Sequence, residues 1–145
     1  MSSAVTEYVR ELHHMRHGTA ELARYTPLIN LLNEIGRSLR PKVRAEGNLR
    51  NMGAGHPDVG LFTEQQAAEQ LPERGVLEVK APDAALQAIA RSDQVQEQYL
   101  PLYGQVLVTN YWSFVLVSRD ERGQAALLEA FSLAEDEAAF WQAAA

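Results

Sequence analysis

Two short apolar runs, Val59-Gly60-Leu61-Phe62 and Gly75-Val76-Leu77-Glu78-Val79-Lys80, constrain this chain more than anything else in it. Both are strand-length, rich in large apolar side chains, and joined by the polar connection Thr63 to Arg74, so they read as two strands of an antiparallel hairpin. With Phe62 opposite Val76, Gly60 stands opposite Glu78 and Asp58 opposite Lys80. Side chains alternate along a strand, and directly opposed residues point the same way. Asp58, Gly60, Glu78 and Lys80 then share one face, with Asp58 diagonal to Glu78 at roughly 5–8 Å. The odd-numbered Val59, Leu61, Leu77 and Val79 turn to the other face, where a helix can bury them.

The remaining elements follow from periodicity and punctuation. Thr6 to His17 reads as a helix with Val5, Tyr8, Val9 and Leu12 along one stripe and Gly18 as its terminator. A second helix is expected over Ala20 to Leu39, with Leu28, Leu31, Leu32 and Ile35 as its apolar face and Pro27 marking a kink or its true start. A weak strand near Val43 to Leu49 and the loop Met52-Gly53-Ala54-Gly55-His56 lead into the hairpin. Pro82 and Asp83 look like the first turn of a helix that Ala85, Leu86, Ile89 and Ala90 extend toward Tyr99. Val106 to Thr109 and Phe114 to Val117 read as strands, Arg119 to Gly123 as a turn, and Ala125 to Leu133 as strand or helix. The tail from Glu135 is expected to be helical. The fold class is therefore α/β or α+β, a mixed central sheet flanked by helices.

A chain of 145 residues is one domain's worth and can bury a real core. It has no cysteine, which excludes disulfides and thiolate zinc sites. Met1-Ser2-Ser3-Ala4 lacks the character of a secretory signal, and no apolar run approaches membrane-spanning length, so a soluble, cytoplasmic protein is expected. The net charge is −6, from 13 basic against 19 acidic residues, which argues against gripping nucleic acid by charge alone. The acidity lies downstream, however. Residues 1–50 carry Arg10, Arg16, Arg24, Arg37, Arg40, Lys42, Arg44 and Arg50 against Glu7, Glu11, Glu21, Glu34 and Glu46, and the stretch Arg37 to Arg50 can meet a phosphate or be a plain solvated face.

Asp58 and Glu78 on one face suit a hydrated divalent cation. Mg²⁺ prefers carboxylate and carbonyl oxygens and keeps several waters, so Asp58, Glu78 and the main-chain carbonyl of Val79 suffice as protein ligands, with Mn²⁺ as a substitute. Hydrolysing a phosphodiester needs an activated water and neutralised phosphate charge. Lys80, on the Glu78 face, can orient or help deprotonate that water. Lys42 and Lys80 are the only lysines in a chain that otherwise uses arginine, which makes a lysine within an apolar strand notable.

Gly53-Ala54-Gly55-His56-Pro57-Asp58-Val59, Leu77-Glu78-Val79-Lys80-Ala81, Gln98-Tyr99-Leu100 and Leu107-Val108-Thr109-Asn110-Tyr111 follow in a characteristic order. In that order the chain resembles the PD-(D/E)xK restriction-endonuclease-like superfamily, and within it the amino-terminal nuclease-like domain of large enzymes that join endonuclease and adenine methyltransferase. The resemblance covers about residues 20 to 120. It implies a Mg²⁺-dependent DNA endonuclease domain of a restriction-modification system, with a methyltransferase or specificity domain elsewhere in the same polypeptide. On this reading 1–145 is a single nuclease-like domain: 1–19 a helical extension, 20–133 the core, 134–145 a helical tail. The alternative is a non-catalytic module that keeps the fold for protein or nucleic-acid interaction. The resemblance also implies an upstream acidic residue near the metal, for which Glu46 is chosen and Glu34 on the second helix is the rival.

Two departures stand out. Many related nucleases carry Gln four residues before Tyr on the helix after the lysine strand, whereas here that position is Val95, flanked by Gln94 and Gln96. The connection 63–74 is also longer than usual and is a candidate for a short helix. Among other features, His13 and His17 are one helical turn apart but lack a placed third ligand, and read as a solvated helix end. His56 needs no function, and Tyr111 and Trp112 read as packing rather than base stacking. The chain holds no Asn-Pro-Pro-Tyr segment, glycine-rich cofactor loop or Walker A loop, so neither methyl transfer nor translocation is expected of it.

Overall fold

Strands that are apolar on both sides need cover on both faces, and the fold supplies it. The computed structural model describes residues 3–15, 25–47, 53, 55–67 and 70–142. Six strands form one sheet in sequence order: β1 (Val43–Gly47), β2 (Val59–Thr63), β3 (Val76–Val79), β4 (Val106–Thr109), β5 (Ser113–Arg119) and β6 (Ala125–Ser132). Only β3 and β4 pair in parallel; every other neighbour is antiparallel. A parallel pair needs a crossover. The chain provides it as α3 (Leu86–Ala90), a π-helical turn π1 (Gln94–Tyr99) and α4 (Leu100–Tyr103). The ambiguous stretch 125–133 is thus a strand, and Pro82-Asp83 forms a turn ahead of the helix rather than its first turn.

The crossover covers one face. Leu86, Ala90, Val95, Tyr99, Leu100 and Tyr103 pack there on Phe62, Val76, Val106, Val108, Val115 and Val117. On the other face Val59, Leu77 and Val79 meet α1 (Ser3–Met15) through Tyr8, Val9 and Leu12, and α2 (Tyr25–Ser38) through Leu28 and Leu31. The expected odd-numbered burial against a helix is therefore present. Phe140 of α5 (Glu137–Gln142) joins the same cluster. Both end segments thus help build the core: the apolar stripe of α1 packs with α2 and the sheet in one cluster, and the Phe140 ring joins it beside His13.

Helix α2 lies along the edge strand β1 and closes it. The Asn33 side chain accepts from the Ala45 N–H at 2.8 Å and donates to the Ala45 carbonyl at 3.2 Å, standing in for a neighbouring strand. Gly36 lets the backbones touch: a Cβ there would lie 2.0 Å from the Val43 carbonyl oxygen. The last turn of α2 therefore faces the sheet through Gly36, and Ile35, expected on the apolar face, is 41% exposed. The proposed helix start at 20, the terminator Gly18, His17, and Met52 and Ala54 of the loop 52–56 fall outside the described residues. No helix among those described is long and apolar enough to cross a membrane.

Candidate metal and phosphodiester site

The two motif strands meet in a register two residues away from the expected one. Gly60 pairs with Val76 and Val59 with Leu77, which carries Asp58 abreast of Glu78 rather than of Lys80. An even-numbered shift keeps every side chain on its face. The cause lies in the connection: pairing continues to Leu61, whose N–H donates to the Gly75 carbonyl at 2.9 Å and whose carbonyl accepts from Arg74 at 3.0 Å. The Gln66 amide gathers the loop by accepting from the N–H groups of Thr63 and Glu73 and donating to the Leu71 carbonyl. Among its described residues this connection holds turns and no helix.

Asp58 sits in a bend just before β2. Its Oδ2 accepts the N–H of Val79 at 2.7 Å, and its Oδ1 accepts the Tyr25 hydroxyl at 3.0 Å. The carboxylate is thereby tied to β3 and to α2 at once. Val79, expected to lend its carbonyl, is brought to Asp58 through its N–H. Lys80 follows, with its own N–H donating to the Thr109 carbonyl at 2.8 Å and its Nζ 4.0 Å from Glu78 Oε1.

Glu78 is the unusual member. A charged side chain on a half-exposed sheet would stay wet, but the crossover covers this face and leaves Glu78 only 5% exposed. Its Oε2 is buried with no well-formed hydrogen bond. Burial, together with the hydrogen bond to and charge of Asp58, pushes its carboxyl up to about 8, against the opposing pull of Lys80 and the Tyr99 hydroxyl. Glu78 thus keeps its proton at neutral pH and shares it toward Asp58. Tyr99 in turn is pushed up to about 12, first by burial and then by the charges of Glu78 and Asp58.

The displaced glutamine has a structural answer. A π-helical turn places residues five apart on one side of the helix. π1 does this for Gln94 and Tyr99, and Gln94 Nε2 donates to the Tyr99 hydroxyl at 3.1 Å. Gly55 also approaches this point, at φ +93° and with a hypothetical Cβ 3.7 Å from the Tyr99 ring. Sequence reasoning misplaced Gln94 by assuming α-helical spacing, and it gave no role to Tyr25. The signal for Gln94 was the five-residue interval itself; for Tyr25 there was none.

Each candidate for the upstream acid pairs with an arginine. Glu46 lies on the Asp58 face of the sheet, opposite Gly60. Its Oε2 is taken by Arg44 at 3.0 Å, and Arg44 is held by the carbonyls of Thr63 and Gln66 and stacks on Phe62, drawing Glu46 toward the far end of β1. Glu34 is exposed and paired with Arg37 at 3.1 Å on α2, nine residues or roughly 13 Å along the helix from Tyr25. Among the described residues no three His, Asp or Glu side chains converge as a metal-holding group. His13 packs against Phe140 and Trp141. Tyr111 is fully buried and the Trp112 indole donates to the Pro82 carbonyl, so both serve packing as expected. Compared with protein-family models, curated proteins and solved structures, the chain matches none of them.

Proposed function

We propose that this chain is a Mg²⁺-dependent DNA endonuclease domain that hydrolyses phosphodiester bonds. The observation that carries the reading is a buried glutamate abreast of an aspartate, with Lys80 4.0 Å from the same carboxyl group. Two adjacent carboxylates in a covered site repel each other and lose hydration; a proton or a divalent cation relieves both costs. The orphaned Glu78 Oε2 and the oxygen-only donor set of Asp58 and Glu78 fit a hard cation such as Mg²⁺. Such an ion supplies neutralisation of phosphate charge and a more acidic water.

The protein's own part follows from the geometry. Asp58, tied at both oxygens, is a preset ligand. Glu78 would hold such an ion in its deprotonated form, the proton passing to solvent. Lys80, on the flank of Glu78 and a third exposed, is within reach of water and can orient the attacking molecule. Tyr99, held by Gln94, borders Glu78 from within the core and steadies its carboxyl group. The order of the sheet also supports the reading, since Asp58 precedes the second strand and Glu78 lies in the third, where the nuclease-like core is expected to carry its acidic groups. The wider proposal is a restriction-modification polypeptide whose methyltransferase or specificity domain supplies most of the DNA affinity.

Plasmid nicking with Mg²⁺ or Mn²⁺, measured for wild type and Lys80→Ala, tests this function. Metal-dependent cutting that the variant loses supports it, whereas equal activity in both rejects the role of Lys80. One observation favours a second reading. With Glu46 held by Arg44, two carboxylates rather than three face the site, as in a non-catalytic module that keeps the fold for binding. Metal-independent binding without cleavage of any DNA or RNA form selects that reading.

A further inference from the structure

Tyr25 opens α2, the helix that covers the sheet face opposite to π1. Its ring is half-buried against the second apolar cluster, yet its hydroxyl reaches the end of the sheet and donates to Asp58 Oδ1 at 3.0 Å. The Val79 N–H donates to Oδ2 at 2.7 Å. Each oxygen of Asp58 therefore takes one fixed donor from a different element. A carboxylate oxygen has two acceptor sites, so Asp58 keeps capacity for the Glu78 proton or, in its place, an ion.

The two donors act differently from a single one. One hydrogen bond leaves a carboxylate free to swing about it, whereas two on separate oxygens fix its plane. Helix α2, which carries Tyr25 at its first position, is seated on β1 by the paired Asn33–Ala45 bonds and by the close approach of Gly36 to Val43. We propose that Tyr25 is a positioning residue for the cation site, holding the Asp58 carboxylate in the one orientation from which it and Glu78 can share an ion. The proposal rests on the metal-dependent reading above. Its physical content is preorganisation: a ligand already immobilised gives up no rotamer freedom when the ion binds.

Titration of Mn²⁺ into the full chain, followed through the paramagnetic resonance signal of the free ion, tests it. Tyr25→Phe keeps the ring and removes the donor. It is expected to weaken Mn²⁺ by about tenfold or more, the usual effect of losing an outer-shell partner of a metal ligand. Nicking at saturating Mn²⁺ should return close to the wild-type kcat, so the loss falls on metal affinity and not on turnover. Leu32→Ala, which thins the same cluster without touching Asp58, controls for packing; it should lower the melting temperature and leave Mn²⁺ affinity unchanged. Wild-type affinity in Tyr25→Phe overturns the proposal and leaves the metal reading standing. Equal weakening in both variants also overturns it, since packing alone then accounts for the effect. If wild type and Asp58→Ala alike fail to bind Mn²⁺, the metal reading and the proposal fall together.

Discussion

Gln94 and Tyr99 are five residues apart and hydrogen-bonded at 3.1 Å, a contact that regular α-helical spacing would not make. The π turn of the crossover brings the two side chains together, and Tyr99 in turn borders Glu78 and Asp58. Gln94 is exposed but donates to the buried Tyr99, so Gln94→Ala should cost no more than about 1 kcal/mol, the net worth of one hydrogen bond. Its nicking rate should nonetheless fall by about tenfold, because the Tyr99 hydroxyl loses its orienting partner. Steady-state cleavage beside a thermal melt of the same preparation checks both halves.

Glu78 makes a prediction about pH in the absence of added metal. Its folded-state carboxyl titrates at about 8, above the ordinary glutamate value of 4.5, so the folded protein holds a proton that the unfolded chain releases. Stability from this group is complete below about 4.5 and is lost as pH rises toward 8. Urea midpoints across that window should fall in wild type more than in Glu78→Gln, which cannot ionise. Millimolar Mg²⁺ should flatten the wild-type decline by replacing the proton. Identical pH slopes in the two proteins would contradict the burial of a protonated Glu78.

Lys80→Ala separates activity from folding. The Lys80–Glu78 pair is loose at 4.0 Å and the lysine side chain is a third exposed, so its loss should cost less than about 1 kcal/mol. Cleavage should drop by about a hundredfold or more if Lys80 handles the attacking water. Chemical denaturation and nicking assays on one sample decide the matter.

Gly36→Ala sets two effects against each other. Alanine gains roughly 0.5–1 kcal/mol of helix propensity over glycine. Its Cβ, however, would meet the Val43 carbonyl oxygen at 2.0 Å, and that atom is backbone that cannot swing away. Forcing α2 off β1 should win, with net destabilisation of about 1–3 kcal/mol in equilibrium unfolding. A stabilised variant would mean that α2 does not seat on β1 as described.

What could be read in advance follows from how each feature is encoded. Which side chains share a face depends only on odd and even position, so Asp58, Gly60 and Glu78 fell together correctly even though the register was two residues off. The register itself depends on how Gln66 gathers its loop and where Arg74 and Gly75 rejoin the ladder, which no local pattern announces. Helix faces were legible where apolar spacing was strong, as for Tyr8, Val9 and Leu12, and misleading at Ile35, where a backbone contact at Gly36 replaces side-chain packing. Glu46 was sought at the site because its strand position is right; its orientation is decided by Arg44, two residues away, and by loop carbonyls distant in sequence. The role of Tyr25 depends on a helix crossing to the end of the sheet, a tertiary relationship with no sequence signature.

The amide of Asn33 occupies the hydrogen-bonding positions of Ala45 that an incoming strand would need, and Gly36 presses α2 onto the same edge. The opposite edge, β6, carries no such cover among the described residues and exposes Leu128 and Phe131 at 49% and 63%. A sheet open on one side only is a terminated one: another strand can add at β6, from a second copy or from another polypeptide, but not at β1.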